Sequence, residues 1–479
     1  MSEDGYRSPL GTRYSSPAMQ HIWGDRHRIG TWRRLWLALA ESERELGLVI
    51  PDEAFAEMRA HLDDVDLALA AKYERRFRHD VMAHVHTFGD QAPNARPFLH
   101  LGATSAFVAD NADLIVMRAG MKLILGRLIA VLEALENFAL RSRNIPCLAY
   151  THFQPAQLTT VGKRATLWML DFALDVEDMV YRLDSMRLRG CKGTTGTQAS
   201  FLELFHGDDA KVRELDRQVA QRMGFSHLYP VTGQTYTRKA DSHIVDVLSG
   251  IAQSAAKMAN DMRLLQHEGE LLEPFESEQI GSSAMAYKRN PMRAERISGL
   301  ARFVISLQAN PAYTVATQWL ERTLDDSANR RLTLPEAFLA VDAILILATN
   351  IAAGIEVRED VIRRNVNEQM PFMATERWLM LGVEAGGDRQ SLHEVVRQHS
   401  MTCAAAVSRG EANNLLECLE QDPAFAKVPA KTLRQELEPL KYTGRAPAQV
   451  TEFLDEFIHP LIHRARPHAG QAETAQVTV

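Results

Sequence analysis

The stretch Asp113 to Arg143, DLIVMRAGMKLILGRLIAVLEALENFALRSR, decides the fold. Leu114, Met117, Met121, Leu128, Leu132 and Leu135 recur at helical steps and line one face of a helix turning about 100° per residue. The pattern predicts one rod of roughly thirty residues, about 45 Å long. A second rod is expected from about Arg238 to Gln266, where Ile244, Val247, Leu248, Ile251, Met258, Met262 and Leu265 keep register. Rods of this length bury their apolar faces by bundling, within one chain and between chains. The expected class is therefore all-α with a central long-helix bundle, assembled as a homo-oligomer. Strand-like alternation is almost absent and no fixed-period repeat is visible.

Working outward, Trp32, Leu35, Trp36, Leu39 and Leu46 predict an amphipathic helix over Thr31 to Leu46, with Thr31 as cap and Gly47 closing it; the tryptophans read as core. Helices are also expected from Gln157 to about Arg189, from Met292 to Leu307 after Pro291, and from about Pro335 to Ile355. Residues Met1 to Asp25 read as an irregular arm carrying Arg13 and Tyr14. Beyond Val357, shorter helices broken by Gly386-Gly387, Pro423, Pro429, Pro439 and Pro447 lead to a polar tail after Pro467.

The 479 residues exceed a single ordinary core, and the formal net charge of −7 argues against a general nucleic-acid or membrane-surface binder. Cys147, Cys191, Cys403 and Cys418 are scattered without metal-type pairing. The longest apolar runs, such as Ala343 to Ala348, are short for a bilayer, and the N-terminus has no apolar leader. A soluble, cytoplasmic protein is expected.

Chemistry is expected where the helices break. Arg78-His79-Asp80 is followed by His84 and His86; His79 and His86 would share a helix face with His84 about 140° away, so the trio does not form a metal site on its own. Leu101-Gly-Ala-Thr104-Ser105 is a second break. Thr151-His152-Phe-Gln-Pro155 is a third, putting His152 just before a helix, where a side chain can face a cleft. Lys192-Gly-Thr-Thr-Gly-Thr-Gln198 is rich in Gly and Thr but lacks the P-loop order. Gln234 lies in Thr-Gly-Gln-Thr-Tyr, and Arg322, Ser327 and Arg331 lie in Glu321-Arg-Thr-Leu-Asp-Asp-Ser-Ala-Asn-Arg-Arg331. Finally, Gly281-Ser-Ser-Ala-Met-Ala-Tyr-Lys-Arg-Asn-Pro-Met292 offers backbone freedom at Gly281, two hydroxyls, a cation and an amide, a set suited to a carboxylate or an oxyanion. Taken by itself, it also suits a polar surface loop.

The Gly-Ser-Ser-x-Met-x-x-Lys-x-Asn-Pro pattern resembles the mobile signature loop of the fumarase/aspartase superfamily, with Ala286 where most members carry Pro. Together with the other segments it resembles the adenylosuccinate lyases, of the animal-type branch, over nearly the whole chain before Pro467. The resemblance implies a three-domain chain, with an N-terminal helical domain at 1–111, a central bundle at 112–357 carrying the signature loop, and a C-terminal helical domain at 358–479. It implies a homotetramer whose active sites are shared between subunits, and no cofactor or metal.

What the resemblance implies about chemistry is a β-elimination that releases fumarate from adenylosuccinate, and from succinyl-aminoimidazole-carboxamide ribotide, in purine and AMP biosynthesis. Ser282 matches the general base, His152 the general acid and Glu295 the partner of that histidine; Lys288 and Asn290 match groups that hold the succinyl carboxylates. Arg13, Tyr14, Arg78, His79, Asp80, Thr104, Ser105, Gln234, Arg296, Arg322, Ser327 and Arg331 match the groups that bind the rest of the substrate. An acidic protein that takes a ligand with two carboxylates and a phosphate needs cations concentrated locally, which this set provides. Residues alone do not distinguish Ser282 from Ser283 as the base. The alternatives are another fumarate-releasing lyase of the superfamily and a non-catalytic, crystallin-like structural homologue.

Overall fold

The computed structural model describes residues 5–470; the first four residues of the arm and the tail from 471 onward lie outside the described residues. Within the arm, Leu10–Tyr14 form a short π-type turn and Pro17–Trp23 a helix, α1, capped by Ser16, whose hydroxyl accepts the Met19 N–H at 3.2 Å. The arm is thus more ordered than its composition suggests. The serine cap and the proline at the first helical position are its local cause. It is also docked from a distance, because the Ser16 N–H donates to Asp342 at 2.7 Å.

Helix α2 spans Asp25–Glu45 and starts right after Gly24, well ahead of the expected Thr31. Thr31 is inside the helix, its hydroxyl bonding back to the His27 carbonyl at 2.9 Å instead of capping. Trp32 and Trp36 are buried as expected. Then follow α3 Asp52–Ala60, α4 Leu67–Phe77, α5 Asp80–Gln91 and the 37-residue α6, Ser105–Arg141.

After α6 the chain forms an antiparallel hairpin, β1 Pro146–Thr151 with β2 Gln154–Thr160, paired from Pro146↔Thr160 to Thr151↔Gln154 with a register shift between Leu148 and Tyr150. The expected helix from Gln157 therefore starts later, as α7 Val161–Ser185, with the Thr160 hydroxyl accepting the Lys163 N–H at 3.1 Å. Alternation over so short a stretch does not register as a strand in the sequence, but Thr159 and Thr160 favour the pleat. Helices α8 Ala199–Leu204, α9 Asp209–Arg222 and α10 Lys239–His267 precede the signature loop, and α11 runs Met292–Leu307 as expected. A short α12, Ala309–Ala316, leads to α13, Asp325–Gly354.

Helix α13 starts well before Pro335, which it absorbs in its interior. Asp325 and Asp326 in the first turn suit the helix dipole and set the earlier start. By length and apolarity α13 reaches what a bilayer crossing needs, a length the short uninterrupted runs hid. Yet 72% of its most apolar window is buried inside the protein, as in a core helix. Arg127 on α6 bonds Asp342 on α13 at 3.2 Å, both buried, and so locks the register of the two longest helices.

Three apolar clusters hold the described chain. The largest joins α6, α7, α10, α11 and α13. A second packs Trp32, Trp36, Phe55 and Phe88 against Cys191, Phe201 and Leu215, so the segment after α7 returns to the N-terminal helices. A third is built around Trp378.

Candidate active site

The candidate residues fall into three groups on one chain. The first gathers where α4–α5, the start of α6, the turn before α10 and the start of α13 meet. Arg78 ends α4 in the left-handed region at φ 56°, which turns the chain so that His79 caps α5. The His79 Nδ1 accepts the Met82 N–H at 3.3 Å, leaving Nε2 to face the Ser105 hydroxyl at 3.2 Å. Asp80 accepts from Arg331 at 2.9 Å. Thr104, the residue before α6, precedes Ser105 directly. Gln234 is tied in through its backbone, its N–H donating to the Glu321 carbonyl at 2.9 Å. Gly233 permits that approach, since a Cβ there would lie 2.6 Å from the same carbonyl oxygen. Arg322, Ser327 and Arg331 line a cavity of about 240 Å³ beside Trp23 and Arg28.

The second group lies where the signature loop runs into α11. Ser282 Oγ accepts two backbone N–H groups, from Met285 at 3.1 Å and Ala284 at 3.4 Å, whereas Ser283 is exposed. The Asn290 amide donates to the Gly281 carbonyl at 2.8 Å and pins the loop at its base. Gly281 does not supply a positive φ; it is needed because a Cβ would fall 2.1 Å from the Lys288 carbonyl oxygen. Lys288 and Glu295 are exposed, and the Arg296 guanidinium stacks 5.7 Å from the ring centre of Tyr14, next to Arg13 in the arm.

The third group is His152 alone. It sits at the tip of the β1–β2 hairpin, not at a helix start, with His152 at φ 53° and Phe153 at φ 58°. Two consecutive left-handed residues make the tight turn that matches strand twist, usually the preserve of Asn and Gly. Here they place an exposed imidazole beside a 63% exposed phenyl ring. Non-glycine residues in this strained region recur at the motif segments, at Arg78, His152, Phe153 and Gln198, and at Leu320 just before Glu321. Such strain is kept where the surroundings over-determine it, and it gathers at functional sites.

Other motif residues are structural. His84 is buried edge-on against Trp32, with burial pushing its pKa down to about 4, and His86 packs on Phe77. The three histidines do not converge. Lys192 in the Gly/Thr loop is buried in an ion pair with Asp216, so its charge faces inward.

Sequence reasoning missed the wall behind the first group. Arg238 forks onto Asp110 at 3.1 and 3.2 Å and reaches Asp326 at 2.6 Å; Arg330 bonds Asp241 at 2.7 Å and Asp113 at 2.9 Å. Burial opposes charge on Asp110, but Arg238, Arg330 and Arg189 outweigh it and hold its pKa below the usual value; on Asp113 burial wins and the pKa is raised. The one signal for this network was polar Asp110, Asn111 and Asp113 at the start of an apolar helix.

The family model "Lyase" matches residues 28–306, and "Adenylosuccinate lyase C-terminus" matches 371–453. The chain is 49% identical over 460 residues to adenylosuccinate lyase of Saccharomyces cerevisiae, covering 95% of each chain. The chain belongs to the adenylosuccinate lyase family. Another member, from Schistosoma mansoni, is 46% identical over 96% of each chain. The fold is shared with other enzymes of solved structure. The 3-carboxy-cis,cis-muconate lactonizing enzyme of Pseudomonas putida superposes with a TM-score of 0.82 at 24% identity, over 95% of this chain and 99% of that one. Fumarate lyase from Mesorhizobium sp. BNC1 gives 0.78 at 23%, over 92% and 98%. This member of the adenylosuccinate lyase family is thus an all-α lyase.

Proposed function

We propose that the protein cleaves adenylosuccinate to AMP and fumarate by β-elimination, and succinyl-aminoimidazole-carboxamide ribotide likewise, in purine nucleotide synthesis. Ser282 takes the proton next to the succinyl carboxylate, and His152 protonates the departing nitrogen, with Glu295 holding that histidine charged. The near-full-length likeness to the yeast enzyme carries this reading. Support for Ser282 over Ser283 comes from the two N–H groups aimed at its Oγ, which stabilise the alkoxide a serine base must become. Lys288 and Asn290 bind the succinyl carboxylates. Arg13, Tyr14, Arg78, His79, Asp80, Thr104, Ser105, Gln234, Arg296, Arg322, Ser327 and Arg331 bind the nucleotide and the remaining charge.

We further propose a homotetramer in which each site is completed by neighbouring copies. Leu167, Leu170, Leu174 and Tyr181 stand exposed along one face of α7, at the spacing of a helix seam, which supports bundling between chains. The three separated groups of candidate residues support shared sites. A cytosolic setting is proposed with it, supported by four cysteines that are all free.

The test is to mix the purified oligomer with adenylosuccinate and a chelator and to follow fumarate and AMP by NMR. Equal amounts of both products are expected. Neither product from a correctly assembled oligomer would overturn the reading and move a sister lyase ahead.

A further inference from the structure

Between the first group of candidate residues and the interior lies a competition for one carboxylate. Asp326 is fully buried, and its Oδ2 accepts Arg238 Nε at 2.6 Å. The same oxygen is 3.6 Å from Arg322, beyond good hydrogen-bonding range. The nitrogen at that distance, Nη1 of Arg322, is shielded from solvent and has no hydrogen bond, and the other oxygen of Asp326, Oδ1, is equally orphaned. Buried polar atoms are seldom left so, and an unmade bond there points to a partner that binds. Arg238 is committed to carboxylates on both edges, with Nε on Asp326 and both terminal nitrogens on Asp110, which also receives the Tyr236 N–H at 2.9 Å.

We propose that Arg238 is a positioning residue for the substrate: it neutralises Asp326 and thereby leaves the Arg322 guanidinium available to an anionic oxygen of the substrate. The inference rests on the reading of Arg322 as a substrate-binding residue. Without Arg238, Asp326 is a buried carboxylate whose nearest remaining cation is Arg322, and the strong penalty on unpaired buried charge draws the two together. The cavity lined by Arg322 then loses that cation to the interior, while the reacting groups on the hairpin and the signature loop are untouched. KM rises and kcat holds, the opposite of what loss of folded enzyme produces.

The experiment compares steady-state kinetics on adenylosuccinate for Arg322→Met, Arg238→Gln, Asp326→Asn and the double variant Arg238→Gln/Asp326→Asn, with oligomeric state checked by sedimentation. Arg322→Met and Arg238→Gln are each expected to raise KM at least about tenfold, the scale of one charge-assisted hydrogen bond. The double variant is expected to recover most of that rise, because the carboxylate that captures Arg322 has lost its charge. A double variant as impaired as Arg238→Gln overturns the inference while leaving Arg322 as a substrate residue. An unchanged KM in Arg322→Met instead removes Arg322 from the site and the underlying reading with it. Should Arg238→Gln not assemble, Arg238→Lys keeps the charge beside Asp326 and is expected to hold KM close to that of the parent; a tenfold rise there also overturns the inference.

Discussion

The guanidinium of Arg331 donates to Oδ2 of Asp80 at 2.9 Å, joining residues 251 positions apart. Their side chains are 60% and 37% exposed, so the pair contributes under about 1 kcal/mol to stability. Both are candidate substrate contacts. Asp80→Ala and Arg331→Ala are therefore expected to leave thermal unfolding nearly unchanged while raising KM. A melting temperature that falls as far as for a core variant, with KM intact, would reassign the pair to structure.

Ser282 and His152 lie in exposed segments that no described contact joins within the chain. Each alanine variant is expected to keep fold and assembly and to lose about 10²–10⁴ in turnover, the range of general acid–base catalysis. If copies of the chain share sites, dissociating and reassembling the two variants together regains activity that neither has alone. Failure to regain any activity from demonstrably mixed oligomers counts against shared sites.

Asp342 ties α6, α13 and the arm together through Arg127 and the Ser16 N–H. Removing this carboxylate takes a counter-charge away from a buried guanidinium, which costs about 3–5 kcal/mol. Asp342→Ala is expected to unfold at markedly lower denaturant than the parent. A shift within the scatter of surface variants would show that the pair does not lock the two helices.

Asp175, buried between α7 and α10, has its pKa raised to about 7 by burial, with Asp178 and Asp171 adding to the rise and Ser254 opposing it. The folded chain therefore holds a proton that the unfolded chain releases near pH 4. Folded protein binds more protons over that window, so this residue's contribution to stability falls as pH rises from about 4 to about 7 and is level above. Asp175→Asn is expected to remove that slope. Urea unfolding of both proteins at about pH 5 and about pH 7.5 measures it, and parallel pH profiles would refute the assignment.

Helix α11 was legible to the residue because Pro291 marks its start locally, and the rods α6 and α10 were legible because roughly thirty residues of one period leave no other reading. The hairpin under His152 was not, because its turn uses His and Phe where local chemistry favours Asn and Gly, and the pairing of β1 with β2 on either side closes it. Pro335 misled for a similar reason. A proline that normally opens a helix is carried inside α13 by burial on several sides.

The sequence by itself determined the helical class, the long rods, the family and the order of the motif segments between the rods, because periodicity and motif order are local properties of the chain. Tertiary structure alone decided which of those segments meet. It brought Asp80 to Arg331 and Gln234 to Glu321, left His152 and Ser282 on separate exposed edges, and set Arg238 between Asp110 and Asp326. A buried charge must find its partner wherever the fold delivers one, and no spacing along the chain records which partner that is.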